Sequence, residues 1–233
     1  MRAIVIKRYG GPEVLAIEER PEPAAEPGHV VVEVKAFGLN HAEIYFRKGA
    51  WGDVAEISGI ECVGRVKADP DHRFKPGQTV LALVGGMGRS INGSYAELVT
   101  VPSSNVVAVD SDLPWEDLAA IPESYATAWT SLIGILALAK DQVVAIRGAT
   151  SALGQAAVNI AAGTHLSVFA SAVVTGTPAF PLSEIPFQTI VSRVAEGSYK
   201  AKPARVFSFS EIRDAHRLME ANEAGGKMVV VHD

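Results

Sequence analysis

The chain has 233 residues, 48% of them apolar, enough for one large or two small domains around a sizeable core. Lysine and arginine total 21 against 26 acidic residues, a net charge of -5 without any basic run, which argues against nucleic acid or an anionic membrane as partner. Cys62 is the only cysteine, which excludes an internal disulfide and a cysteine-held structural zinc and makes a reducing, cytoplasmic setting the expectation.

The opening MRAIVIKRYGGPEVL enters strand-like alternation at once and reads as the mature start of a cytosolic protein. The first hundred residues predict β-branched strands at Ala3 to Lys7, His29 to Gly38, Glu61 to Lys67, Thr79 to Leu83 and Tyr95 to Pro102, a compact barrel or sandwich. Two Pro-Gly turns, Pro27-Gly28 and Pro76-Gly77, each stand just before a strand, with proline setting φ and glycine accepting positive φ. From Trp115 the pattern becomes helical: Trp115 to Ala120 behind Pro114, then Tyr125 to Ala139 with apolar spacing of three to four. The apolar stretch Leu132 to Leu138 is stopped by Lys140 and Asp141, short of the roughly 20 residues that span a bilayer. Gln142 to Arg147 predicts a short strand, GATSALG a small-residue turn, and Ser151 to Ala162 an alanine-rich helix ended by Gly163. His165 to Val174 predicts another apolar strand. A helix from Pro186 to Glu196, a strand from Arg205 to Phe209, a helix from Ser210 to Ala224 and a last strand from Lys227 to Val231 follow.

Several segments in one order carry a resemblance: GGPEVL (Gly10 to Leu15), AFGLNHAEIYFRKG (Ala36 to Gly49), GIECVGRV (Gly59 to Val66), KPGQTV, GSYAEL (Gly93 to Leu98), ATAWTSL (Ala126 to Leu132) and AHRLME with GGKMVVV at the end. Together they resemble the zinc-independent quinone oxidoreductases of the medium-chain dehydrogenase/reductase superfamily. The resemblance implies a mixed α/β fold: a GroES-like β-barrel from residues 1-118 and 204-233 that holds substrate, and a Rossmann-like α/β lobe over 119-203 that holds NADPH. It also implies hydride delivery to a quinone or enone. Where zinc-containing relatives have a cysteine and a histidine ligand, this chain has Asn40 and Ile60, and an isoleucine has no lone pair to donate. No metal is expected. Glu61 and His41 remain as isolated carboxylate and imidazole, read as structural. By the same resemblance Asn40 and Tyr45 line the carbonyl pocket as the catalytic pair, Trp51 is a weaker wall candidate, and Thr127 faces the nicotinamide. On their own, Asn40 also reads as a turn cap and Tyr45 as a half-buried aromatic.

GATSALG, Gly148 to Gly154, has the strand-turn-helix setting of a dinucleotide loop, in which free helix amides face a pyrophosphate. Against GxGxxG, Ala149 and Ser151 replace the first two glycines and only Gly154 remains, so Gly148, Ala149, Ser151 and Gly154 are the cofactor-binding candidates, with a tight helix-packing turn as the other reading. A ribose-binding acid or an NADP-binding base should follow by about 20 residues. Between Asp141 and Glu184 there is no acid and no lysine, and Arg147 is the only permanent charge. By comparison with the family, several strands and helices are absent between Ala162 and His165. NADPH binding is therefore expected to be weak or absent, whether the loss is engineered or natural. The alternative is a non-catalytic module that binds a small ligand or self-associates. A homodimer is expected on either reading, because the uncharged run Leu166 to Val174 would be left as a sheet edge.

Overall fold

The computed structural model describes residues 1–139, 142, 144–161 and 176–232. Strands β1 (Arg2–Ile6) and β2 (Leu15–Glu19) form an antiparallel hairpin. Strands β3 (His29–Gly38), β4 (Glu61–Ala68), β5 (Thr79–Leu83), β6 (Leu98–Pro102), β7 (Val106–Ala108), β8 (Arg205–Ser208) and β9 (Met228–Val231) share a second sheet in the order β7-β5-β4-β3-β9-β8. The ten-residue β3 holds this sheet together: β4 pairs along one edge, while β6 takes the start and β9 the end of the other. The hairpin attaches through single bridges, Ala3 to Ala96 and Val5 to Ile57, and among the described residues strand pairing does not run full circle. β1, β3, β4 and β5 lie within a residue of expectation, whereas β2 and β7 were not foreseen.

Period-two alternation sorts each strand between two cores. Val80 and Ala82 of β5, Cys62 of β4 and Met228 and Val230 of β9 face an inner core with Ile4, Val32, Phe37 and Tyr95. Leu81 and Leu83, Val63 and Val229 face the opposite core, under the helices. Both faces are covered, which is why these strands read as continuous apolar runs rather than as alternation with polar residues.

The helices are α1 (His41–Lys48), α2 (Trp115–Ala119), α3 (Pro122–Trp129), α4 (Ala152–Ala161), α5 (Phe187–Ala195) and α6 (Ile212–Glu220). The long helix expected over Tyr125 to Ala139 instead begins at Pro122 and passes at Thr130–Ile135 into a π-helical turn. α6 buries Ile212, Ala215, His216 and Met219, one helical stripe, and delivers the chain to β9, which returns to β3. Of the strand expected at Gln142 to Arg147, the described residues 142 and 144–147 carry no ladder pairing. A strand needs a neighbour for its N–H and C=O groups, and no described strand lies beside it. The expected strand at His165 to Val174 lies outside the described residues.

Candidate active site

A cleft of about 520 Å³ opens between the end of β3, the start of α1, the amino ends of α3 and α4, and the loop into β9; Asn40, Ile60, Glu123, Ser151 and Lys227 are among its walls. Asn40 stands at the amino end of α1 in extended conformation, where the chain leaves β3. Its side chain does more than cap a turn. Asn40 Nδ2 donates to Glu61 Oε1 at 2.8 Å, and its Oδ1 accepts from Lys227 Nζ at 2.9 Å. Lys227 also pairs directly with Glu61 Oε1, closing a three-membered cluster. Glu61 is wholly buried and Lys227 is only 6% exposed. Gly38 makes room for them: a methyl there would overlap Glu61 Oε1 and the Lys227 side chain. The two groups that the sequence left as background, an acid inside an apolar strand and a lysine after Gly225-Gly226, thus form the centre of the site.

Two more carboxyls surround the cluster. The backbone N–H of Glu123 donates to Glu61 Oε2 at 2.8 Å, and Thr127 Oγ1 donates to Glu123 Oε1 at 2.8 Å. Glu43, fully buried on α1, accepts from the N–H of Asn40 at 2.7 Å and from Tyr95 OH at 2.9 Å. One lysine faces three carboxyls, and their titration follows. Burial lifts the Glu43 carboxyl to about 7 against the pull of its donors and Lys227. Burial raises Glu123 as well, opposed by Lys227 and reinforced by Glu61. Burial would lower Lys227, but Glu61 and Glu123 outweigh it and hold the ammonium above its ordinary range.

The structure brings some sequence-derived candidates together and separates others. Asn40 and Ser151 face the same cleft. Thr127 lies one turn further along α3 than Glu123, bonded to it and off the cleft wall. Tyr45 is not on the wall either: it is 45% exposed and stacks on Trp51 at 5.4 Å between ring centroids. His41 lines the cleft and faces Asn222 across 3.3 Å. In the turn, Gly148 has φ of 75°, and a methyl on Gly154 would overlap the Gly148 carbonyl. Ser151 Oγ donates to Gly148 O at 2.8 Å and accepts from the N–H of Gly154 at 3.0 Å. Its one proton is committed within the turn, so the hydroxyl cannot donate to a phosphate. The amides of Ala152 and Leu153 have no hydrogen-bond acceptor among the described residues. Among those residues there is also no group of three or more His, Cys, Asp or Glu that could hold a metal, and no helix long and apolar enough to cross a membrane.

A mostly antiparallel sheet whose buried lysine cluster faces the amino end of a small-residue helix is an α/β arrangement, and comparison with known proteins gives its class. Residues 26–111 match the alcohol dehydrogenase GroES-like domain, and residues 124–230 match the zinc-binding dehydrogenase family. The synaptic vesicle membrane protein VAT-1 homolog-like of Mus musculus is 29% identical over 178 residues, 74% of this chain and 41% of that protein. A quinone oxidoreductase of Lama guanicoe is 28% identical over 178 residues, 74% of this chain and 52% of that protein. The solved structure of mycobacterial Rv1454c complexed with NADPH shares the fold with a TM-score of 0.79 at 18% identity, covering 99% of each chain. The chain belongs to the medium-chain dehydrogenase/reductase superfamily, as a quinone-oxidoreductase-like member. It spans about half the length, 41% and 52%, of these two curated relatives.

Proposed function

We propose that this chain is a shortened derivative of an NADPH-dependent, zinc-independent reductase of quinones or enones, impaired in cofactor binding by an internal loss. Residues 1-118 and 204-233 form its substrate-binding unit, and 119-203 what is left of the nucleotide lobe. The observation that carries the reading is that Asn40, Lys227 and Glu123 share one cleft with the amino end of α4. The match to about half the length of a curated relative supports the reading that part of the family's nucleotide lobe is missing.

The residues present fit one half of a dinucleotide. The tight turn at Gly148 and Gly154 and the open amides of Ala152 and Leu153 suit a pyrophosphate. Nothing in the run from Gln142 to Ser183 supplies the acid or lysine that would engage the adenosine ribose. When bound, the cofactor supplies a hydride. The chain's own part is electrostatic. Two of the three Lys227 protons are held by Asn40 and Glu61, which leaves one N–H for a carbonyl oxygen as charge develops on it. Glu123 Oε1 is engaged by Thr127, which leaves Oε2 as the oxygen able to exchange a proton with the cleft. Support for zinc independence comes from the same contact: an ammonium 2.9 Å from Asn40 Oδ1 occupies the place of a cation and repels a second one.

A calorimetric or fluorescence titration is expected to show NADPH binding far more weakly than to a full-length family member, with turnover of a simple quinone near background and no stoichiometric zinc by elemental analysis. Low-micromolar affinity with steady NADPH oxidation that Asn40→Ala abolishes would overturn the impaired-cofactor reading.

A further inference from the structure

Glu43 ties together the two segments that bring Asn40 and Ile60 to the cleft. Its Oε2 accepts from the N–H of Asn40 at 2.7 Å and its Oε1 from the N–H of Ile60 at 3.2 Å. The remaining contact is long-range: Tyr95 OH lies 2.9 Å from Glu43 Oε2 and 3.0 Å from His216 Nε2. Behind it, the wholly buried Arg47 donates from Nε to His216 Nδ1 at 3.3 Å, donates to Gly10 O and pairs with Glu220.

The direction of each hydrogen bond in this relay from Arg47 to Glu43 is determined at the Arg47 end. A guanidinium only donates, so His216 Nδ1 must be the accepting nitrogen. A neutral imidazole then carries its proton on Nε2 and donates it to Tyr95, and burial, with Arg47 beside it, holds His216 neutral down to about 3. Tyr95 has one proton and spends it on Glu43. All three partners of Glu43 therefore donate, an arrangement that only a carboxylate satisfies. A proton on Glu43 has no acceptor unless Tyr95 turns round, and Tyr95 cannot turn without displacing the Arg47–His216 bond.

We propose that Glu43 is a positioning residue whose ionised carboxylate latches Asn40 and Ile60 into the cleft wall, and that uptake of a single proton releases both. The groups that face it set where this happens: Lys227 favours the ionised form from the β9 side and Tyr95 from the loop before β6, while Glu61 and Glu123 share the same lysine. Burial is the largest influence and brings the transition near neutral pH. A cleft of this kind would be formed on the alkaline side of the transition and loosened on the acid side. Its relevance to activity rests on the function proposed above; the latch itself is a property of the protein without cofactor.

The test is a pH titration of the full ¹⁵N-labelled chain by NMR, with the Glu43 carboxyl carbon followed in parallel. The amides of Asn40 and Ile60 are expected to shift together with one midpoint between about pH 6 and 8, the midpoint of the Glu43 carboxyl itself, and to stop shifting in Glu43→Gln. Tyr95→Phe removes a donor from the ionised form only, so the midpoint should rise by about one pH unit. That variant keeps the test decisive where Glu43→Gln fails to fold. Amides that stay flat across the range, a Glu43 carboxyl that titrates near its ordinary value, or a midpoint that Tyr95→Phe leaves in place would overturn the latch. Tight NADPH binding, which would overturn the function proposed above, would leave all of these signals of the cofactor-free protein unchanged, so the two readings fail separately.

Discussion

Replacing Lys227 with methionine keeps much of the side-chain volume and removes the charge. The expected cost follows from what remains behind. Glu61 has no solvent exposure and loses its ammonium partner, while Asn40 Oδ1 loses its 2.9 Å donor. Removing one member of a buried pair costs about 3–5 kcal/mol, because the surviving charge is left uncompensated. Against a total stability of roughly 5–15 kcal/mol for an ordinary domain, that is a large fraction. The double variant Lys227→Met, Glu61→Gln should recover more than half of the loss. With both charges gone, the amide introduced by Glu61→Gln can accept from the Glu123 N–H and donate to an Asn40 amide turned to present its oxygen. Urea unfolding at neutral pH measures both, as a shift in midpoint at constant slope. A single variant that loses less than about 1 kcal/mol, or a double variant no more stable than the single, would refute the claim that this pair is a buried, mutually dependent unit.

Three further outcomes are expected. His216 has its pKa lowered to about 3 by burial and then by Arg47, so the stability it contributes is present above its unfolded value of 6.5 and is lost as pH falls toward 3. In His216→Gln that dependence disappears, and the difference in unfolding free energy between wild type and variant should change by about 1.4 kcal/mol per pH unit between those limits; parallel curves would contradict it. Gly38→Ala should displace the Glu61–Lys227 pair while leaving β3 paired, which weakens binding of any ligand in the cleft; an unaltered NMR environment for Asn40 would count against the packing described. We also propose self-association through the uncharged run Leu166 to Val174, which lies outside the described residues. Light scattering of the wild type should give a dimer or larger species that Ala170→Lys dissociates, and a clean monomer at high concentration would sink the idea.

Much of the sheet was legible because β-branched runs between Pro-Gly turns specify strands locally. His29–Gly38 and Thr79–Leu83 coincide with expectation for that reason. The helix expected from Tyr125 to Ala139 shows the limit, since apolar spacing predicts a helix but not its conversion to a π turn at Thr130. Gln142 to Arg147 shows another: a strand's composition is local, but its hydrogen-bond partners are not.

For the site, the residue types of Asn40 and Ile60 were enough to argue against a zinc ligand set, because ligand chemistry resides in the single side chain. The small residues of the turn before α4 likewise marked a close-packed entry into a helix, since only a glycine at 154 clears the Gly148 carbonyl. Nothing in the sequence indicated that Lys227 would meet Glu61, 166 positions earlier, or that Tyr95 and His216 would link Glu43 to Arg47. Those contacts exist because β9 pairs with the end of β3 and α6 packs its apolar stripe on the inner core. A side chain's capacity to ionise, donate or accept belongs to its type and can be read in order along the chain. Its partner, its burial and therefore its charge state are set by which distant segments the fold brings within about 3 Å, hydrogen-bond distance, and that is decided by tertiary packing alone.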